Sequence, residues 1–191
     1  MTTVPTTLLP AQLRSRLAEF TVIDVRTPAE FAGGHIAGAH NVPLNRLREA
    51  VPVLRQARHP NLLVVCASGA RSERARIELD TLGVEAIDLA GGTTAWVADG
   101  NTLSGRAGAR DVWPMERQVR LVAGSLVVLG LAAGRVAPKA RLLSAAIGSG
   151  LVFSAVTGTC GMAAVLARLP YNRADGHAPD LASTLSALDR F

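Results

Sequence analysis

Cys66 is one of only two cysteines among 191 residues, and it sits in the stretch VVCASGARSERAR, from Val64 to Arg76. The stretch reads as an apolar strand, then a loop of small residues, then a basic helix start. A strand-to-helix loop aims several backbone N–H groups at one spot, beside the positive end of the helix dipole. A thiol held there is drawn towards its thiolate, which is the nucleophilic form. Ala67, Ser68, Gly69 and Ala70 are all small, so the backbone can wrap closely around a central atom. Gly69 can also adopt conformations closed to other residues. Arg71 adds a fixed positive charge, and Ser72 follows as the helix begins. The pattern predicts an anion cradle around a nucleophilic sulfur; the plain alternative is a buried cysteine that ends a strand.

The elements that must position this loop are legible upstream and downstream. A helix start is expected within Thr6–Phe20, with Pro10 early and Leu9, Leu13 and Leu17 on one side. Thr21–Val25 reads as a short buried strand, and Pro28–Leu44 as a helical turn, a loop and a return. A helix is expected through Leu44–Arg58, a second strand at Asn61–Ala67 and a helix at Ser72–Leu82 ended by Gly83. Glu85–Gly92 reads as a third strand running into a Gly-Gly turn, with Thr94–Ala98 helical after it. Strands alternating with helices predict a parallel α/β sheet. Such sheets bind ligands beyond the carboxyl ends of their strands, where Cys66 falls. Hydrophobic residues make up 49% of the chain but aromatics only 4%, so the core is expected to be aliphatic.

Three signatures then occur in order over most of residues 8–100. CASGAR resembles the C-x-x-G-x-R active loop of rhodanese-domain sulfurtransferases. VIDVRTPAEFAGGHIAGAHNVPL, Val22–Leu44, is similar to the upstream signature of that family, with Asp24, Arg26, Glu30, Phe31, Gly34, His35, Ile36, Gly38, Ala39, Asn41 and Pro43 matching. LAGGTTAW, Leu89–Trp96, looks like its closing G-G-x-x-A-W. The resemblance implies a rhodanese-like fold and nucleophilic covalent catalysis. Cys66 would take the outer sulfur of a donor such as thiosulfate as a persulfide, then pass it to cyanide, a thiol or a protein acceptor. The loop N–H groups from Ala67 to Ser72 would hold the persulfide and the anionic donor, and Arg71 the oxyanion end. Asp24 and Arg26 would organise the loop, either as a buried ion pair or as a functional one, and His35 is read as structural. No metal or cofactor is called for.

Loop length separates two related chemistries. Cysteine and arginine stand six apart in related phosphatase loops, which makes a wider cradle for phosphate. Here Cys66 and Arg71 are five apart, which favours sulfur transfer. Ala67 and Ala70 stand where more basic loops carry charged or polar residues. Thiosulfate is therefore expected to turn over poorly, leaving room for a protein or low-molecular persulfide donor.

The second half differs in kind. Residues 1–103 carry ten basic and ten acidic side chains, whereas residues 104–191 carry ten basic and five acidic, so the net charge of +5 lies wholly there. Asn101–Asp111 reads as a linker, which places a catalytic domain at 1–103 and linker sequence at 104–117. Leu121–Gly134 then runs 14 residues without a charge and Leu142–Ala167 runs 26. The second run is long enough to span a bilayer, which takes about 20 apolar residues. The first can span if it extends from Val119 to Ala137 with Arg120 and Arg135 snorkelling.

A two-helix transmembrane hairpin over 118–172, followed by a tail at 173–191, is the expectation; a soluble helical appendage is the alternative. Gly158–Gly161 and Leu169–Asn172, GTCG and LPYN, resemble the small two-helix membrane domain fused to bacterial rhodaneses. Arg106, Arg110, Arg117, Arg120, Arg168 and Arg173 flank the runs, against Arg135, Lys139 and Arg141 between them. The positive-inside rule then puts both termini in the cytoplasm. The expected setting is a bacterial inner membrane, crossed more than once, with the catalytic domain cytoplasmic.

Basic residues at the ends of apolar runs point to membrane lipids rather than nucleic acid. Small residues at Gly130, Gly134, Gly150, Ser154 and Gly158 would let helices pack closely, within the hairpin or between the chains of a homodimer. Two cysteines make no disulfide framework, and Cys160 reads as a structural thiol. A membrane-anchored sulfurtransferase is the leading reading. The alternatives are a thiol-based redox or nitrosative sensor and a non-catalytic docking module; a transport accessory is a weaker fourth.

Overall fold

The computed structural model describes residues 6–56, 61–105, 112–157, 161–172 and 180–190. The chain divides into two compact units, Met1–Val112 with Ala174–Phe191, and Trp113–Arg173.

The first unit is built on strands too apolar to leave either face in water. Leu62–Val65, LLVV, is buried at every position, as is Thr21–Asp24. Strands buried on both faces belong to parallel sheets covered by helices on each side. Five strands form such a sheet: β1 (Thr7–Leu8), β2 (Thr21–Asp24), β3 (His40–Asn41), β4 (Leu62–Val65) and β5 (Ile87–Leu89), in the order β1-β5-β4-β2-β3, with every pairing parallel.

Strand alternation sorts the core into two layers. Ile23, Val25, Leu62, Val64 and Cys66 face one side, under α3 (Leu47–Gln56) and α4 (Ala70–Thr81). Val22, Leu63, Val65, Ile87 and Leu89 face the other, with Leu13 of α1 (Pro10–Arg14) and Trp96 of α5 (Gly92–Ala98). Between β2 and β3 lies α2 (Pro28–Gly33), whose capping box joins Thr27 and Glu30.

The structure differs from expectation where tertiary pairing overrides local pattern. The helix expected within Thr6–Phe20 is shorter, because Thr7 and Leu8 pair with Asp88 and Leu89 as an edge strand and Pro10 starts the helix after them. His40–Asn41 is a strand because Ile23 and Asp24 offer it a parallel partner. The segment read as a linker from Asn101 begins inside the domain. Ser104 makes an antiparallel bridge with His35, and the Thr102 carbonyl accepts the Trp96 indole N–H at 3.1 Å. The rest of it, 106–111, lies outside the described residues.

The second unit is helical. A 19-residue helix, α6 (Met115–Ala133), is followed by α7 (Arg141–Thr157) and α8 (Gly161–Leu166). Residues 158–160, and with them Cys160 and most of GTCG, lie outside the described residues. Ser144 Oγ donates to the Val127 carbonyl at 2.9 Å, and a Cβ at Gly130 would strike Ser144 and one at Gly134 would strike Arg141. The two helices therefore run antiparallel as a hairpin, and two of the predicted small residues lie in its seam. A Cβ added at Gly150 would meet no side chain or neighbouring element within contact distance among the described residues.

At the open end, Asn172 and Gln118 exchange amide hydrogen bonds at 2.8 Å in both directions, and Asn172 also donates to the Leu166 carbonyl at 2.9 Å. This clamp gives LPYN a structural purpose and brings the unit's two ends together. Among the described residues one helix, Pro138–Thr157, is long and apolar enough to cross a membrane.

Beyond the hairpin, the tail contains a helix, α9 (Leu181–Leu188), capped by Asp180, whose carboxylate accepts the Ser183 N–H at 2.7 Å. Leu181 and Leu188 join the core layer of the first unit beside α3 and β3.

Candidate active site

Cys66 follows β4 at its carboxyl end and is fully buried, with Ser68 and Ala70 exposed in the loop beyond it. Gly69 is the N-cap of α4, at φ +98°, a conformation that costs other residues strain. That turn points its N–H back at the sulfur, donating to Cys66 Sγ at 3.1 Å. Ser72, fully buried in the first turn of α4, places its hydroxyl 3.4 Å from Sγ and donates to the Gly69 carbonyl at 3.0 Å. The sequence reading expects several backbone N–H groups at the sulfur; among the described residues the contacts to it are one backbone N–H, from Gly69, and one hydroxyl, from Ser72.

The loop is held from below by the Gly-Gly turn. Thr93 N–H donates to the Cys66 carbonyl at 2.8 Å and Thr94 N–H to the Ala67 carbonyl at 3.0 Å. Gly92, at φ +58°, lies so close that a Cβ there would overlap the Cys66 carbonyl and the Ala67 backbone. The closing G-G-x-x-A-W signature is therefore a floor for the cysteine loop.

Arg71 is in the loop but does not project as a free cation. Its Nη1 and Nη2 donate to the Glu30 carboxylate at 2.9 and 2.8 Å. Burial opposes the charge on Glu30, whose side chain is 2% exposed. The Arg71 guanidinium, aided by the Thr27 N–H and hydroxyl, outweighs that cost and holds the carboxyl below its ordinary value. The fixed positive charge expected of Arg71 is thus compensated by a buried anion one helix away.

Asp24 and Arg26 form a buried ion pair that braces the loop's neighbours rather than the sulfur. Arg26 Nη2 donates to Asp24 Oδ2 at 2.7 Å and to the Gly34 carbonyl at 2.6 Å. Asn41 donates to the Asp24 and Arg26 carbonyls at 2.9 and 3.0 Å, tying β3 to the same corner. The His35 ring stacks on Phe31 at 3.8 Å with Nδ1 2.9 Å from the Phe31 carbonyl, in keeping with a structural part.

Two acids on the elements around the loop were not assigned a part from sequence. Glu30 was visible as a motif match, and the T-P-A-E capping pattern marks its carboxylate as turned inward. Asp88 was visible only as one acid inside an apolar strand.

Among the described residues no cluster of three or more His, Cys, Asp or Glu could hold a metal ion. Residues 9–99 match the rhodanese-like domain, and residues 112–174 match the transmembrane domain of YgaP-like inner membrane proteins. Over 176 residues the chain is 40% identical to uncharacterized protein slr1261 of Synechocystis, covering 91% of this chain and 94% of that one. It is 38% identical over 95 residues to thiosulfate sulfurtransferase 16, chloroplastic, of Arabidopsis thaliana, covering 44% of this chain and 79% of that protein. It is 31% identical over 70 residues to thiosulfate sulfurtransferase PspE of Escherichia coli, covering 37% and 67%. With its cysteine loop, glycine floor and helical second unit matched in this way, the chain belongs to the rhodanese family, in the form that carries a YgaP-like inner-membrane transmembrane domain.

Proposed function

We propose that the chain is a membrane-anchored sulfurtransferase that carries sulfane sulfur as a persulfide on Cys66. The observation that carries this reading is the Gly69 N–H donating to Cys66 Sγ at 3.1 Å, at the N-terminus of α4. Hydrogen-bond donors and a helix dipole aimed at one sulfur favour its anionic forms, both thiolate and persulfide. The named sulfurtransferases among the relatives support the same chemistry.

With thiosulfate as donor, the Cys66 thiolate attacks the outer sulfur. A new S–S bond forms, the bond to the sulfonate sulfur breaks, and sulfite leaves with its electron pair. The persulfide then loses its terminal sulfur to cyanide, a thiol or a protein acceptor, and the Cys66 sulfur is regenerated. Ala67, Ser68, Gly69, Ala70, Arg71 and Ser72 surround that terminal sulfur. Because Glu30 compensates Arg71, the loop gives a doubly charged donor little net attraction, which favours a persulfide donor over thiosulfate.

The second unit supports two membrane crossings with both ends on one side. Its α6–α7 hairpin and the Gln118–Asn172 clamp bring the start and the end together. The basic residues flanking the apolar runs outnumber those in the turn, so the catalytic unit faces the cytoplasm. Steady-state sulfur transfer to cyanide, with thiosulfate and with a persulfide donor, tests the activity. The expected result is turnover abolished in Cys66→Ser and faster with the persulfide; turnover unchanged in Cys66→Ser contradicts it.

A further inference from the structure

The apolar hairpin ends in a polar group built around Trp113. The Arg117 guanidinium lies over the Trp113 ring, 3.7 Å from its centroid. Trp113 is fixed through its backbone: its N–H donates to the Tyr171 hydroxyl at 3.2 Å and its carbonyl accepts from Gln118 Nε2 at 2.7 Å. A guanidinium stacked by its face keeps its N–H edge available for an oxyanion. Among the described residues no acid pairs with Arg117. The Tyr171 hydroxyl accepts from Trp113, and its own proton meets no acceptor among the described residues. Both donor groups are thus held against one tryptophan. Glu116 is the only acid in residues 113–173, whereas Arg117, Arg120 and Arg168 are all exposed close in sequence to the Gln118–Asn172 clamp.

Beyond Arg117 the same face of α6 turns apolar. Leu121, Gly124 and Val128 follow it by four, seven and eleven residues, a spacing that keeps them in one stripe. Leu121 is 56% and Val128 65% exposed, and a Cβ at Gly124 would meet nothing within 4 Å. The hairpin seam uses another side of the helix, through Gly130 and Gly134. A cationic, aromatic end above an open apolar stripe has the form of a phospholipid laid along the helix.

We propose that Trp113, Arg117 and Tyr171 bind the phosphate of an anionic phospholipid whose acyl chain runs along Leu121, Gly124 and Val128. The proposal rests on the reading of the second unit as a membrane hairpin. Arg117 supplies the charge that separates such a headgroup from a zwitterionic one, where a cationic amine already answers the phosphate. Tyr171 donates its hydroxyl proton to a phosphate oxygen. Trp113 holds both groups at the depth where amphipathic rings settle in a bilayer.

The test uses the full-length protein with Trp96→Phe, which leaves Trp113 as its one tryptophan. It is reconstituted in vesicles of phosphatidylcholine and phosphatidylglycerol in equal parts. One lipid at a time carries bromines near the headgroup end of its acyl chains, and quenching of Trp113 reports which lipid lies against it. Phosphatidylglycerol is expected to be preferred roughly fivefold, the gain of one arginine facing an anionic headgroup. Arg117→Gln is expected to abolish the preference, and Tyr171→Phe to lower it in part. Arg168→Gln removes an equal charge outside the Trp113 stack and is expected to lower the preference less than Arg117→Gln does.

Equal quenching by the two brominated lipids overturns the proposal. So does an equal loss in Arg117→Gln and Arg168→Gln, which would mean a general attraction of basic residues; the membrane hairpin survives both results. Quenching by neither lipid takes the membrane reading down with the proposal. Should Trp96→Phe fail to fold, native mass spectrometry of the parent chain released from the same vesicles decides. Phosphatidylglycerol retained in excess, and lost in Arg117→Gln, upholds the proposal, whereas equal retention of the two lipids overturns it.

Discussion

Arg71 follows Cys66 by five positions, and both of its terminal guanidinium nitrogens donate to Glu30, so a loop cation meets a buried anion. The side chains are 14% and 2% exposed, which puts the pair in the class where losing one partner strands the other. Glu30→Ala is expected to destabilise the protein by about 3 kcal/mol. Adding Arg71→Ala should cost less than the sum of the two single changes, as urea titration will show.

The pH dependence has a definite sign. The folded carboxyl of Glu30 sits below its ordinary value, so its contribution is present above about pH 4. That contribution fades as pH falls through the lower folded value. Thermal melting followed from neutral to acid pH is expected to drop less steeply in Glu30→Ala than in the parent. At this scale the sequence was half legible. Spacing and residue size located the sulfur and its cradle, but pairing across 41 residues is a property of the folded sheet.

The elements show why. Strand β4 is apolar throughout and could be placed from composition alone, and α4 follows from its glycine cap. By contrast β1 and β3 are two residues each, and they are strands only because β5 and β2 offer them parallel edges. No local pattern carries that information. The C-terminal helix α9 is the same kind of case. The sequence reading leaves it in a tail, and the partner it finds is the layer under α3. Leu188 is fully buried there, so Leu188→Ala is expected to cost the α/β unit about 2–5 kcal/mol in urea denaturation. A loss below 0.5 kcal/mol, the level of ordinary surface changes, would show that α9 is not part of that core.

For the whole molecule the informative fact is where the chain leaves and re-enters. Trp113 and Gln118 at the start of the second unit meet Tyr171 and Asn172 at its end, and α9 then joins the unit that the chain had left. That route is the one the proposed pair of membrane crossings requires. The apolar runs were readable from sequence and their antiparallel seam was foreshadowed by Gly130 and Gly134. The clamp between Gln118 and Asn172 was not, because it joins residues 54 positions apart. In intact cells, a cysteine at the turn, Lys139→Cys, is expected to react with a membrane-impermeant thiol reagent. A cysteine at Ser186 in α9 is expected to stay protected until the membrane is opened. Labelling of both sites from outside would contradict the two-crossing, cytoplasm-facing arrangement.

The central claim, that Cys66 carries sulfur, is tested most directly by intact mass measurement after the full-length protein meets a persulfide donor. The expected result is a gain of one sulfur atom that maps to Cys66, disappears on addition of cyanide, and is absent in Cys66→Ser. A protein whose mass is unchanged by every sulfane donor, or that gains sulfur equally in Cys66→Ser, would contradict it.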